Sequence, residues 1–400
     1  MLVPLSPAFQ PYAWGDPSFI PELCGLPVTG KPVAEAWFGA HPSSPSVAGT
    51  PDGTLALDAW IALDADRVLG RDVRARFGGL PFLLKLLSAA RPLSIQVHPS
   101  KAQAEAGFAR ENAAGIPLDA PQRSYRDDNH KPELIVALTP FDALCGFRPL
   151  DEISKSLNAV PEVSALLPKL EPTPEGLRAW TSAYFALPSA VLSPALSRWV
   201  ERLRSVPDRG TEHPEHWVLA AHAEFSSDGA PDRGLVFVVL LNLLRLAPGE
   251  GLFLEAGVPH AYLRGAGLEV MSSSDNVLRG GLTPKHVDPA ELARVVDFSG
   301  REPHLVRGEP GADVLERRYA TSAAEFELSL LEVGPAPVER TARGPEILLV
   351  ARADADGLVR IHDDQSEVVL HRGAACLVTD GTRHHASATA EATLCRVRVP

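Results

Sequence analysis

Gln96 and His98 stand two residues apart in LSIQVHP, where apolar and polar residues alternate as in a half-buried strand. A strand carries side chains i and i+2 on one face, so the amide oxygen and the imidazole can reach a common point. Ser94 shares that face, and Leu93, Ile95 and Val97 take the other. Glu133 lies in KPELIVAL (Lys131 to Leu138), where it shares a strand face with Lys131; His260, in VPHAYL, shares one with Tyr262. Two imidazoles, a carboxylate and an amide oxygen form a hard-to-borderline donor set. It suits zinc or another first-row divalent ion, with a coordination position left for water or substrate. Spacing alone does not bring these residues together. A Gln-x-His on a strand is equally a polar face, and a histidine before a turn is equally a structural one.

The elements that would position them are mostly strands. PFLLKLL is a nearly continuous apolar run ahead of LSIQVHP. From about residue 150 to 232 the periodicity becomes helical. Leu196, Trp199, Val200 and Leu203 form a stripe at i, i+3, i+4 and i+7. Ser193 with Pro194 reads as the start of that helix and Pro207 as its stop, while Thr173-Pro174 starts an earlier helix with Leu177, Trp180 and Tyr184. SDGAPDRG (227–234) reads as the closing loop, and strands are expected to resume at Leu235. HVDPAELARVVDFS predicts a short exterior helix, and after about Leu315 every apolar segment reads as strand. The expected chain is mainly β with a helical insertion. A first barrel comprises 1–149 and 233–314, a helical domain 150–232, and a second barrel 315–400.

Composition narrows the function. The 400 residues carry a formal net charge of -12, which argues against a nucleic-acid partner. A locally positive pocket for a small anion remains compatible with that charge. The 4 cysteines are widely spaced, with no CxxC pair, as expected in a reducing compartment. The first residues lack a basic start and a long apolar core, and LVFVVLLNLLRLA is too short to span a bilayer. The expectation is a cytoplasmic protein without a membrane or nucleic-acid partner. Monomer and homodimer are both open.

Five blocks, in order, closely resemble those of the type I phosphomannose isomerases. They are AEAWFGAHPSSPS, LPFLLKLLSAARPLSIQVHPSKAQA, DDNHKPELIVALTPFDALCGFRP, LAPGEGLFLEAGVPHAYLRG and LEVMSSSDNVLRGGLTPKHVD. The resemblance spans roughly residues 8 to 290. It implies a cupin fold: a metal-bearing jelly-roll barrel, an α-helical domain and a second, metal-free C-terminal barrel. It also implies one zinc ion per chain, held by Gln96, His98, Glu133 and His260, and an active-site arginine at Arg279. The implied reaction interconverts mannose 6-phosphate and fructose 6-phosphate.

An aldose–ketose isomerase moves a proton between C1 and C2 through an enediol or enediolate, and needs a base, an electrophile and a phosphate handle. Arg279, Lys131 and Glu269 are the catalytic candidates, the last two as an acid–base pair. Ser94, Tyr262, Asp275 and Lys285 are the substrate-binding candidates; His130 is a further candidate shuttle, as is Asp275. Each is equally able to sit in a structural ion pair. Lys85, inside an apolar run, is expected to pair with a carboxylate such as Glu35 or to snorkel from an edge. Gly265 to Gly267 reads as a turn, and His384-His385 as surface without a carboxylate partner. Two other readings compete: a metal-dependent cupin oxygenase, for which the basic RGGLTPK loop has no purpose, and a non-catalytic sugar-binding cupin.

Overall fold

The strands that carry the site are buried on both faces, which is why their sequences run apolar without alternation. Phe82–Ala89, Glu133–Ala137 and Phe141–Phe147 are buried at every position. The structure is a computed structural model that describes residues 1–226, 230–311 and 315–400. The chain is β-rich, as expected.

An 11-stranded antiparallel sheet holds the candidate residues. Its central strand, His260–Ser272, pairs along its second half with Phe82–Ala89 on one side and Glu133–Ala137 on the other. Its first half crosses to other partners, Phe141–Phe147 and, at His260 opposite Gln96, the short strand Ile95–Val97. Leu278–Gly281 completes this corner, with Arg279 also opposite Gln96.

One irregularity decides what the long strand presents. Tyr262 is opposite Ala143 and Arg264 is opposite Asp142, so one extra residue is accommodated there. A bulge of that kind reverses which face each later side chain takes. His260 and Tyr262, at even positions, therefore line the same cavity as Glu269 and Met271, at odd ones. Gly265 follows at φ 129, where a Cβ would lie 2.7 Å from the Pro140 carbonyl oxygen. The segment from Gly265 to Gly267, expected as a turn, is instead the bend of one continuous strand.

The helical block contains Leu150–Asn158, Pro161–Ser164, Pro174–Ala186, Ser189–Arg204 and Pro214–Phe225. Thr173 caps its helix as expected, its hydroxyl accepting from Gly176 N at 3.0 Å. The Ser193 start is corrected: the helix begins at Ser189 and Pro194 lies inside it. Burial of Leu192, Leu196, Trp199 and Val200 on one face carries the helix through the proline. Strands do not resume at Leu235 either. Leu235–Leu240 is a helix and strand begins at Leu241. All six residues of that helix are buried, so no polar position marks its period. Of the expected closing loop, 227–229 lie outside the described residues. The exterior helix is found at Pro289–Val295.

Ile95 and Val97 pack into the core of the helical block, together with Leu278 and Leu282. Each buried aliphatic side chain contributes about 1.5–3 kcal/mol, and here that burial also aims Gln96 the opposite way, into the cavity. Leu93 departs from the expected alternation: it precedes the strand and lines the cavity beside Ser94.

The strands expected after Leu315 form most of a 9-stranded sheet and a 4-stranded sheet. The boundary at residue 315 does not divide the sheets, however. Leu2–Ser6 pairs with Ala375–Val378, and Val47–Thr50 and Gly53–Ala56 extend the same sheet. The His384-His385 reading is also corrected: His384 is buried, and His385 Nε2 lies 3.2 Å from Glu339. No helix among the described residues is long and apolar enough to cross a membrane.

Candidate metal centre

His98, Glu133 and His260 converge from three strands or strand ends, and their donor atoms all lie within 4.8 Å of one another. His98 Nδ1 donates to the Asn276 carbonyl at 2.8 Å and His260 Nδ1 to the Val258 carbonyl at 3.0 Å. With the proton fixed on Nδ1, each neutral ring turns an unprotonated Nε2 inward. Both Nε2 atoms stand 3.4 Å from the same oxygen, Glu133 Oε2. Lone pairs do not bond to a carboxylate, and His98 Nε2 is buried without a hydrogen-bond partner. Three acceptors aimed at one point are satisfied together by a cation.

The protonation states agree with that use. Burial lowers the His98 pKa, keeping the imidazole neutral. Burial works to raise the Glu133 carboxyl, but its surroundings, Lys131 foremost, outweigh it and hold it well below the usual range. Lys131 Nζ sits 3.1 Å from Glu133 Oε1, leaving Oε2 for the histidines. Gln96 lines the adjoining cavity from the strand opposite His260 and Arg279.

That cavity has a volume of about 360 Å³. Every sequence-derived candidate of the site except His130 and His98 lines it: Ser94, Gln96, Lys131, Glu133, His260, Tyr262, Glu269, Asp275, Arg279 and Lys285. His98 lies just behind, reached through the Glu133 oxygen. His130 is removed from the set, because its Nε2 binds Glu325 at 2.7 Å and it lines a different cleft.

One wall is a buried ionic cluster. Lys85 Nζ contacts Glu269 Oε2 at 2.9 Å and Glu35 Oε1 at 3.6 Å, and stands 5.1 Å from the centre of the Trp37 ring. Trp37 Nε1 donates to Glu35 at 2.7 Å and the Tyr262 hydroxyl to Glu269 at 2.9 Å. Burial opposes the Lys85 charge, but Glu269 and Glu35 outweigh it and raise the pKa. Glu35 is raised, chiefly by burial and further by Glu269, against the pull of Lys85. Tyr262 is raised well above its usual value by burial and then Glu269, so it stays a hydroxyl donor.

Asn276 is a further organiser that the spacing of residue types does not reveal. Fully buried, it accepts from the backbone of Arg126 and Asp127 and donates to the carbonyls of Asp127 and Asn129. Its own carbonyl orients His98. It thus ties the DDNHK loop to the metal strand. His41, 3.5 Å from Asp275, was not foreseen either. Tyr12, Trp14 and Glu224 also line the cavity, the first two from the N-terminal segment and the last from the helical block.

The fold and this site together define a metal-dependent enzyme that acts on a small anionic substrate. A family model for the catalytic domain of type I phosphomannose isomerase matches residues 2–150. The mannose-6-phosphate isomerase of Escherichia coli (strain K12) is 40% identical over 349 residues, covering 86% of this chain and 88% of that protein. The one of Homo sapiens is 37% identical over 323 residues, covering 74% and 73%. The structure of mannose 6-phosphate isomerase from Salmonella typhimurium, solved with f6p and zinc, superposes with a TM-score of 0.88 at 36% identity. The match covers 100% of this chain and 99% of that one. The chain belongs to the mannose-6-phosphate isomerase family.

Proposed function

We propose that this chain interconverts mannose 6-phosphate and fructose 6-phosphate through an enediol or enediolate, with one zinc ion held by Gln96, His98, Glu133 and His260. The observation that carries the reading is the pair of carbonyl-anchored histidines whose free nitrogens meet one Glu133 oxygen beside a cavity rich in cations. A cupin architecture accompanies it. The catalytic barrel is drawn from 1–149 and 233–314, the helical domain is 150–232, and the metal-free barrel is 315–400, whose sheet also takes in Leu2–Ser6, Val47–Thr50 and Gly53–Ala56.

Bound there, zinc would supply Lewis acidity to a substrate oxygen and lower the cost of negative charge on it. Arg279 faces the same cavity and stabilises the enediolate with a charge that cannot be neutralised. Lys131, next to Glu133, gives and takes the oxygen-bound proton. Glu269 takes the proton from one of the two carbons and returns it to the other, and its carboxylate is held in place by Lys85 and Tyr262. Tyr262 and Asp275 are the contacts for sugar hydroxyls, and the Ser94 hydroxyl helps to hold the phosphate. Lys285 meets the phosphate, whose binding energy aligns the reacting carbons.

The test is a turnover assay on mannose 6-phosphate with the protein as purified, after chelation, and after zinc is restored. Formation of fructose 6-phosphate that is lost on chelation and regained with zinc is the expected result. A folded, zinc-loaded sample without turnover would reject the reading for this substrate.

A further inference from the structure

His41 stands outside the set of residues derived from the sequence, yet it touches one of them. It follows the strand Glu35–Gly39, which turns Glu35 and Trp37 toward the cavity. Its ring is buried and packs edge to face against Trp37, with 5.2 Å between ring centres. Ser43 fixes the tautomer. The Ser43 hydroxyl lies 2.8 Å from His41 Nδ1, and the Ser43 backbone N–H donates to the same atom at 3.4 Å. A backbone N–H can only donate, so Nδ1 is an acceptor and the single proton of the neutral ring sits on Nε2. Burial lowers the His41 pKa, against the pull of Asp275, and keeps the ring in that neutral form.

His41 Nε2 faces Asp275 Oδ1 at 3.5 Å. The backbone of Asp275 is tied down, its N–H donating to Asp127 Oδ2 at 2.7 Å, but its side chain is 43% exposed and lines the cavity. Among the described residues, no other side chain stands within ion-pair distance of that carboxylate. A carboxylate with no fixed partner turns freely, and ordering it on a sugar hydroxyl costs entropy at the moment of binding. A buried ring, itself held by Ser43 and Trp37, removes that freedom in advance. His41 does not line the cavity, so it reaches the substrate only through Asp275.

We propose that His41 is a positioning residue of the site: its Nε2–H holds the Asp275 carboxylate turned toward the sugar hydroxyls. The role rests on the isomerase reading; the contact does not. At 3.5 Å the contact is long for a hydrogen bond, which leaves the carboxylate room to close on the ring when a hydroxyl arrives from the other side. A neutral donor suits the task, because it orients the carboxylate without cancelling its charge.

Two measurements test it, with zinc content and thermal unfolding as controls. The first is a double-mutant cycle on kcat/KM for mannose 6-phosphate. H41A is expected to lose about tenfold, as for one hydrogen-bonded contact to a charged group. H41Q, which restores an N–H donor on a side chain of similar reach, is expected to recover most of that loss. In a D275A background the same H41A change is expected to cost less than about twofold, because the group it positions is gone. A tenfold loss in both backgrounds would overturn the proposal, since a merely structural role is additive, and so would an H41A variant as active as the parent. If H41A does not fold, H41N takes its place in the cycle. The second measurement needs no turnover. Hydrogen–nitrogen correlation NMR of the zinc-loaded protein with labelled histidine reads the His41 tautomer. The proton is expected on Nε2, with its resonance displaced in D275A. A proton on Nδ1, or an Nε2 resonance unmoved in D275A, would overturn the contact. A parent that shows the contact yet no turnover would leave the contact standing and remove the isomerase reading instead.

Discussion

Replacing Lys85 by Met probes the wall of the cavity most directly. Methionine keeps most of the side-chain volume, so the change is chiefly one of charge. It leaves Glu35 and Glu269 facing each other, with side chains only 8% and 4% exposed and no cation between them. Removing one partner from a buried ion pair costs about 3–5 kcal/mol. Loss of the contact with the Trp37 ring adds about 1 kcal/mol. The variant is therefore expected to lose about 4–6 kcal/mol at pH 8, a large part of an ordinary domain's stability. The loss must depend on pH in a definite direction. The Glu35 carboxyl is already raised by burial, and without Lys85 it rises further. A carboxyl raised in the folded state favours folding while it is neutral, and that advantage disappears as pH climbs from its unfolded value, about 4.3, through the folded one. The deficit should be smallest near pH 5 and complete by pH 8. In the parent, the raised Lys85 pKa contributes stability that is fully present below its unfolded value, about 10.4, so Lys85 itself gives no slope across that range and the variant's additional slope comes from Glu35 losing its cation. Urea unfolding of chelated parent and variant at both pH values, followed by tryptophan fluorescence, measures the difference without metal linkage. A deficit below about 1 kcal/mol at pH 8, or equal deficits at pH 5 and 8, would refute the reasoning.

Three other substitutions separate the parts of the site. Arg279→Ala should lower kcat by about 10²–10³ while metal analysis still finds one zinc per chain; unchanged kcat would remove its assigned role. Gly281→Ala should destabilise by about 2–4 kcal/mol. Its φ is 132 and a Cβ would lie 2.4 Å from Gly234 Cα. Thermal unfolding at the parent's midpoint would contradict that geometry. Thr173→Ala removes the cap of a helix remote from the cavity, and is expected to cost about 1 kcal/mol with kcat/KM unchanged; an altered kcat/KM would show that the helical block shapes catalysis.

What was legible in the sequence follows from the range of each physical signal. Gln96 beside His98 is a local, period-two relation, and the strand that makes it true is set by Ile95 and Val97 burying themselves on the opposite side. The cap at Thr173 is local too, a hydroxyl three residues from the amide it meets. The Leu235–Leu240 segment fails for the converse reason: with every residue buried, helix and strand leave the same sequence pattern. Pro194 misleads because a strong start signal can also be tolerated inside a helix whose other face is well packed. His384 was unreadable because burial in the C-terminal sheets depends on partners far along the chain.

The cavity itself depends on a relation that no residue pattern states. Counting alternate positions from His260 along its strand puts Glu269 on the opposite face, away from the metal. The extra residue between Tyr262 and Arg264 reverses that parity, and the bend at Gly265 carries the strand from one set of partners to the other. The metal ligand and the proposed proton acceptor can therefore share one cavity while belonging to one strand. Asn276 does the corresponding work across the chain, holding the DDNHK loop with its side chain and His98 with its carbonyl. Loop and His98 are consequently not independent parts. A shift of the Asn276 backbone would turn the His98 ring and displace the backbone at Arg126 and Asp127 in the same step, so the loop that leads into Glu133 and the ring of His98 are set by one residue.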